Sequence, residues 1–179
     1  MKDSKKNDVV SLLNDNVDKS SARVSIYAGA GGPEAFLWVQ MLLHMLTKWG
    51  ESKKFTITQF EKVEDEEMGI QSVTIQIMGD YAYGLLKSEE GVHRLIRIPP
   101  HNTDNRRHLS FASIYVSPCL GEQIESFRKE KQTLAQIRNY TLDPYRQIKD
   151  LRTNVETEDT NKVLSGDLDI FILGYLKSL

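Results

Sequence analysis

Hydrophobic and polar positions change their period several times along the chain, and each change predicts an element. Arg23–Ala28 alternates polar with apolar residues and reads as a strand that stops at Gly29-Ala-Gly-Gly32. Pro33 then suits the first turn of a helix, and Glu34 suits the positive end of its dipole. Ala35, Trp38, Val39, Leu42, Leu43, Met45, Leu46 and Trp49 keep helical spacing and form one broad apolar face, with Gly50 expected to stop the helix. His44 sits on this helix at a spacing that suggests a satisfied, partly buried core histidine. Alternation returns in Lys54–Glu61 and Ser72–Met78, joined by the acidic turn Glu64–Gly69. Tyr81–Lys87 reads as a short helix, and Val92–Ile98 and Ser110–Val116 as strands. Beyond Pro118, residues Glu122–Tyr140 read as a charged helix with Leu134 and Ile137 on one side. Asp143 opens an irregular stretch, and Gly166–Leu179 ends the chain as an amphipathic helix. The pattern predicts an α+β fold: a sheet of about four strands with helices packed on it and a C-terminal helical region. Three segments follow: 1–21 as a flexible arm, 22–118 as the main domain, and 119–179 as a helical region completing the same unit.

Composition narrows the class without naming a function. The 179 residues are 40% hydrophobic and 27% charged, with a net charge of −2, as in an ordinary globular protein. A single cysteine, Cys119, excludes an internal disulfide, and no Cys/His cluster has zinc spacing. A reducing compartment, no metal and no cofactor are expected, with Cys119 a small buried thiol. No run of 18 apolar residues is present, so no membrane partner is expected. Met1–Ser21 lacks the apolar core of a secretory signal and the Arg-rich character of a transit peptide.

Three constellations carry candidate chemistry. Glycines between a strand and a helix can bring amides to a phosphate. The pattern here places Glu34 where a dinucleotide fingerprint needs its third glycine, so a structural turn is the better reading. Four histidines and many carboxylates assemble no triad and no nucleophile elbow, and no enzymatic activity is expected. The third constellation is the stretch from Gly91 to Phe111, which crowds His93, Arg94, Arg97, His101, Arg106, Arg107 and His108 around an irregular turn, Pro99–Asn105. These side chains are expected to converge, arginine forks gripping phosphates and histidine rings stacking on unpaired bases. Single-stranded RNA, messenger or ribosomal, is the partner this predicts. The competing expectation is a solvated hairpin whose arginines pair with Glu89, Glu90 and Asp104.

Several motifs in order carry a resemblance: Gly29–Ala35, Ala82–Leu86, Gly91–Leu95, Asn105–Ser113, Gln136–Tyr140, Lys149–Thr157 and Leu164–Asp169. Together they resemble the bacterial and organellar class I peptide chain release factors, the later motifs their type 2 branch. The resemblance runs from about Arg23 to the end, breaking near Pro118 and resuming near Gln136. It implies the codon-reading domain and its C-terminal companion. The family's helical N-terminal domain has no counterpart, nor has the hydrolytic domain with its Gly-Gly-Gln loop. The only Gly-Gly here, Gly31-Gly32, is followed by Pro33.

The reading head departs too. The family's Ser-Pro-Phe aligns with Pro99-Pro100-His101, and the threonine after its histidine with Leu109. Proline offers neither the serine hydroxyl nor a backbone donor. The stacking histidine is kept as His108 beside Arg106 and Arg107. Tyr83-Gly84 and Glu89 match the short helix that meets the first base of the codon. The resemblance therefore implies an RNA-binding, non-hydrolytic relative that stabilises a transcript, with the plastid stroma favoured and a bacterial cytoplasm the alternative. A ribosome-binding factor that occupies the decoding site without peptide release is the second expectation, and a truncated structural fragment the third.

Overall fold

The computed structural model describes residues 9–13, 15–121 and 133–179. Its centre is a mixed sheet that, among the described residues, has eight strands in the order β2-β3-β1-β5-β4-β6-β7-β8. These are β1 (Ala22–Ala28), β2 (Thr56–Asp65), β3 (Gly69–Met78), β4 (Gly91–Arg97), β5 (His108–Pro118), β6 (Gln136–Thr141), β7 (Gln147–Asp150) and β8 (Glu156–Thr157). Every neighbour pair is antiparallel except β4 with β6, which run parallel. Alternation sets which side each residue faces. Ala22, Val24 and Ile26 of β1, Val73, Ile75 and Ile77 of β3, and Ala112 and Ile114 of β5 are all buried.

Helix α1 (Pro33–Ser52) supplies the facing layer with Trp38, Val39, Leu42, Met45, Leu46 and Trp49, all buried as the spacing predicts. Gly50 does not stop it. The helix runs on to Ser52, and a Cβ at Gly50 would lie 2.8 Å from Ile57 Cδ1, so this glycine serves close packing. The chain turns at Lys54, with φ 61°. Helices α2 (Ala82–Leu86), α3 (Thr160–Leu164) and α4 (Asp169–Ser178) complete the layer, with a 3₁₀ turn at Lys87–Glu89.

The glycine turn before α1 is structural. The amide of Gly29 donates to the carbonyl of Phe111 at 2.7 Å, and that of Phe111 to Ala30 at 2.9 Å. Gly31 has φ 131°, and a Cβ there would lie 2.9 Å from both the Leu109 carbonyl oxygen and Ser110 Cα. With β1 antiparallel to both neighbours, there is no βαβ crossover for a dinucleotide.

Two expectations need correction. The described part of the 1–21 segment is docked. Leu13 and Asp18 are buried, Lys87 Nζ bonds Asp18 at 2.9 Å, and the carbonyls of Lys19, Ser20 and Ser21 accept from the amides of Tyr81, Tyr83 and Cys119. Its polar side chains masked the role of its backbone, which serves as an acceptor rail. The region after Pro118 is not all helical either. Residues 122–132 of the predicted helix lie outside the described residues, and Gln136–Thr141 is a strand, followed by β7 and β8. Parallel pairing with β4 fixes that strand, a partner some forty residues away that local pattern cannot reveal.

Candidate nucleic-acid interface

Strands β4 and β5 pair from Gly91↔Ile114 to Arg97↔His108, and the loop between them is the expected reading loop. Short side chains stiffen it. The amide of Asn102 donates to the Pro99 carbonyl at 3.1 Å, closing a turn. Asn102 Oδ1 accepts from the amide of Asp104, and Asp104 Oδ1 from the amide of Arg106 at 3.1 Å, two Asx turns in succession. Asn105 takes the left-handed φ of 54°, which asparagine tolerates better than most residues. At the base, the amide of Ile98 donates to Asp143 at 2.8 Å and that of Leu142 to Ile96, tying the loop to the chain after β6. Asn102 Nδ2 donates to His108 Nε2 at 2.7 Å, holding the half-buried ring in one orientation.

The basic residues do not converge as the sequence suggests. Arg106, Arg107 and His101 stand exposed at the tip. Arg97 points to the helix layer, where its Nε pairs with the buried carboxylate of Glu34. Arg94 lies on the opposite side of β4, its Nε enclosed but without a hydrogen-bond partner. The competing hairpin expectation fails as well. Among the described residues no ion pair involves the side chain of Arg106 or Arg107. Glu89 is engaged by Arg138, and Glu90 accepts from the amide of Val116 at 2.9 Å. The tip presents two unneutralised guanidinium groups.

Glu89 and His93 are not contact residues. Glu89 is completely buried and grips Arg138 with both oxygens, at 2.7 and 2.9 Å. Arg138, also without exposure, reaches Asp150 at 3.2 Å and lies over the Phe171 ring at 4.3 Å. Arg152 closes the set, bonding Asp150 at 2.9 Å and the Ser88 carbonyl at 2.6 Å. Two carboxylates thus meet two guanidinium groups. Burial pushes the Glu89 carboxyl up, but the Arg138 charge and its hydrogen bonds outweigh that and hold it below the usual carboxylate range. Asp150 is likewise lowered: burial opposes ionisation, and the Arg152 hydrogen bond with the Arg138 charge overrides it.

His93 packs beside this network. Its Nε2 is 2.8 Å from the Glu89 carbonyl, an acceptor only, so Nε2 carries the proton and Nδ1 accepts from Tyr140 OH at 2.8 Å. Tyr140 in turn accepts from Arg138 at 3.2 Å. Burial, reinforced by the Arg138 charge, pushes His93 down to about 4. It is a neutral structural histidine, and Trp38 donates to its carbonyl at 3.0 Å. Charge in the sequence pointed to contact; the compensating partners lie 49 and 12 residues from their mates and were not visible there. One signal was available: Arg138 between Ile137 and Tyr140 is a charge among apolar residues, which needs an internal partner.

Tyr83 is half-buried on α2, and its phenol is raised by burial and by the Glu90 charge. His44 corrects the expectation of a core histidine: it is exposed, and with Arg97 and His101 lines a shallow groove between α1, the loop and α3. Cys119 is half-buried, its Sγ accepting from Gln76 at 3.3 Å; burial pushes the thiol up. Among the described residues no helix is long and apolar enough to cross a membrane.

Comparison with known proteins places this geometry. The family model described as the PCRF domain matches residues 2–114. Peptide chain release factor PrfB2, chloroplastic, of Arabidopsis thaliana is 32% identical, covering 98% of this chain and 53% of that protein. Peptide chain release factor 2 of Thermotoga petrophila is 33% identical, covering 94% and 68%. The chain thus spans between half and about two-thirds of the length of such relatives. The structure of RF2 of Thermus thermophilus superposes with a TM-score of 0.86 at 27% identity, covering 98% of this chain and 73% of that one. The ordered motifs, the mixed sheet with its tied reading loop and these matches agree: the chain belongs to the class I peptide chain release factor family, in its type 2 branch.

Proposed function

We propose that this chain is a non-hydrolytic member of the family that binds single-stranded RNA through its reading loop and stabilises a transcript. The observation that carries the reading is the loop tip: exposed Arg106 and Arg107 without carboxylate partners, beside a His108 ring held by Asn102. Guanidinium groups suit phosphates, and an oriented imidazole suits a base face. Pro99, Pro100, His101 and Leu109 occupy positions where the resemblance puts codon-discriminating groups, so general rather than stop-specific binding follows. The sequence contains no Gly-Gly-Gln. The alignment to the Arabidopsis relative runs over 256 positions, more than the 179 residues of the chain, which supports relatives carrying extra residues within the matched region. That relative's chloroplast designation supports a plastid setting.

The second reading is a factor that occupies the ribosomal decoding site without releasing peptide. It is favoured by the agreement with RF2 of Thermus thermophilus across nearly the whole chain. Sequencing the RNA that co-purifies with tagged protein separates the two. One enriched messenger supports transcript binding, ribosomal RNA in bulk supports the second reading, and RNA recovered equally with His108→Ala/Arg106→Ala overturns the loop as the binding site.

A further inference from the structure

We propose that the open face of the sheet, on the side away from α1, is a second RNA surface, on which bases of a single strand stack on Tyr27, Tyr115 and Phe111. This shares the partner of the reading above but none of the loop residues. Among the described residues the sheet has one packed face and one open one. On β1, β3, β4 and β5 the residues of the open face are all half-buried or exposed, in alternation with the buried core residues. An open antiparallel face is ordinarily polar. This one carries aromatic rings in a row. Tyr27, 45% exposed, meets Tyr115 edge to face with centroids 5.7 Å apart. Phe111 is the residue two before Ser113, the register partner of Tyr27, so it is the diagonal neighbour on the other side. Diagonal neighbours are roughly 7–8 Å apart, within the stride of an extended strand of nucleotides.

The charges on this face fit the same occupant. The chain is net acidic, yet the open-face residues of these four strands include Arg23 and Arg94 and no carboxylate; Glu61, opposite Thr74, reaches the face only from the edge strand β2. Arg94 stands directly opposite Phe111. Arg23 lies over the Phe60 ring at 5.2 Å. Among the described residues neither arginine is in an ion pair, and the Nε of each is enclosed without a hydrogen-bond partner. Around the rings are hydroxyls, Ser25 bonding Thr74 at 2.9 Å among them. Rings that every base can stack on, flanked by unpaired guanidinium groups and hydroxyls, make up a sequence-tolerant single-strand platform. An acidic peptide would engage the arginines but would have no use for the row of rings.

Fluorescence anisotropy with a fluorescein-labelled oligouridine of roughly ten nucleotides tests this, at several salt concentrations. Tyr27→Ala/Tyr115→Ala should weaken binding by at least about tenfold, while Tyr27→Phe/Tyr115→Phe should bind within about twofold of the native chain. Arg94→Gln should reduce the salt slope by about 0.7. A thiouridine-substituted strand should photocrosslink the native chain at the β1 or β5 peptides, a readout that needs no variant to fold. An alanine pair that binds like the native chain, with its melting transition unmoved, overturns the assignment. So does a Phe pair that loses as much as the alanine pair, because stacking was then not the contact. His108→Ala separates the two surfaces. If it alone abolishes binding, the platform fails and the loop stands; if only the sheet variants lose affinity, the loop reading fails and the platform stands.

Discussion

Replacing Glu89 with glutamine should cost the fold about 3–5 kcal/mol while leaving RNA affinity unchanged. The network around Arg138 holds two carboxylates and two guanidinium groups, and Glu89 is at zero exposure with both oxygens occupied. Glutamine keeps one acceptor and the volume, so no cavity forms. What it removes is a full charge, leaving Arg138 to share Asp150 with Arg152. Loss of one charge-assisted hydrogen bond accounts for roughly 1.5–3 kcal/mol, and the uncompensated guanidinium supplies the remainder. Against a total stability of about 5–15 kcal/mol, this is a large fraction. In urea, with a slope near 2 kcal/mol per molar, the midpoint should fall by about 1.5–2.5 M with the slope unchanged. Adding Arg138→Met should recover part of the loss, because the pair is then removed together. A midpoint shift under about 0.5 M, accompanied by weaker RNA binding, would refute the argument and put Glu89 at the interface instead.

Acid should destabilise the fold through His93. Its folded value of about 4 lies below the roughly 6.5 of an unfolded histidine, so the unfolded chain binds the extra proton first. Stability is complete above about pH 6.5 and falls by on the order of 3 kcal/mol as pH drops towards 4, a loss His93→Gln should flatten in pH-dependent melting. Trp38→Ala should cost about 3–5 kcal/mol in a denaturant titration, since the ring is fully buried; a change under about half a kcal/mol would show that α1 does not pack as described. Gly31→Ala should lower the melting temperature measurably, as the φ is positive and the new Cβ meets Leu109 and Ser110; an unchanged melt would refute the close approach. On programmed ribosomes the chain should release no labelled formyl-methionine above background, with or without a stop codon.

Local pattern located the elements whose burial is local. The alternation in β1 and β3 and the spacing of Trp38 to Trp49 were readable because each element presents one face to the core. Gln136–Thr141 was not readable, since its strand state comes from β4 and its arginine is neutralised by residues elsewhere in the chain. The sequence shows the loop as a basic, irregular turn; its stiffening by two Asx turns and its true membership come only from the structure. Spacing says that Arg94 and Arg97 are near the loop; only the strand period says that they leave β4 on opposite sides. Tyr27 and Tyr115 do not stand out in the sequence, because an aromatic residue at the polar phase of a strand is still β-favouring. The phase was the signal.

The parallel pairing of β6 with β4 makes the sheet a socket. Chain leaves it at Cys119, pinned to Ser21, and re-enters at Ala135, whose carbonyl accepts from the amide of Val92. Both points lie at the same end of the sheet, with one strand between them, a lateral step of roughly 10 Å. The strands on either side take their register from β1, β4 and β7, partners outside the joining segment. A whole folded module could therefore be spliced in at this port, or excised from it, without a single strand changing partners. Lineages that gained or shed a module there would keep an intact sheet, and a designer could graft a reporter or effector domain between Cys119 and Ala135 on the same grounds.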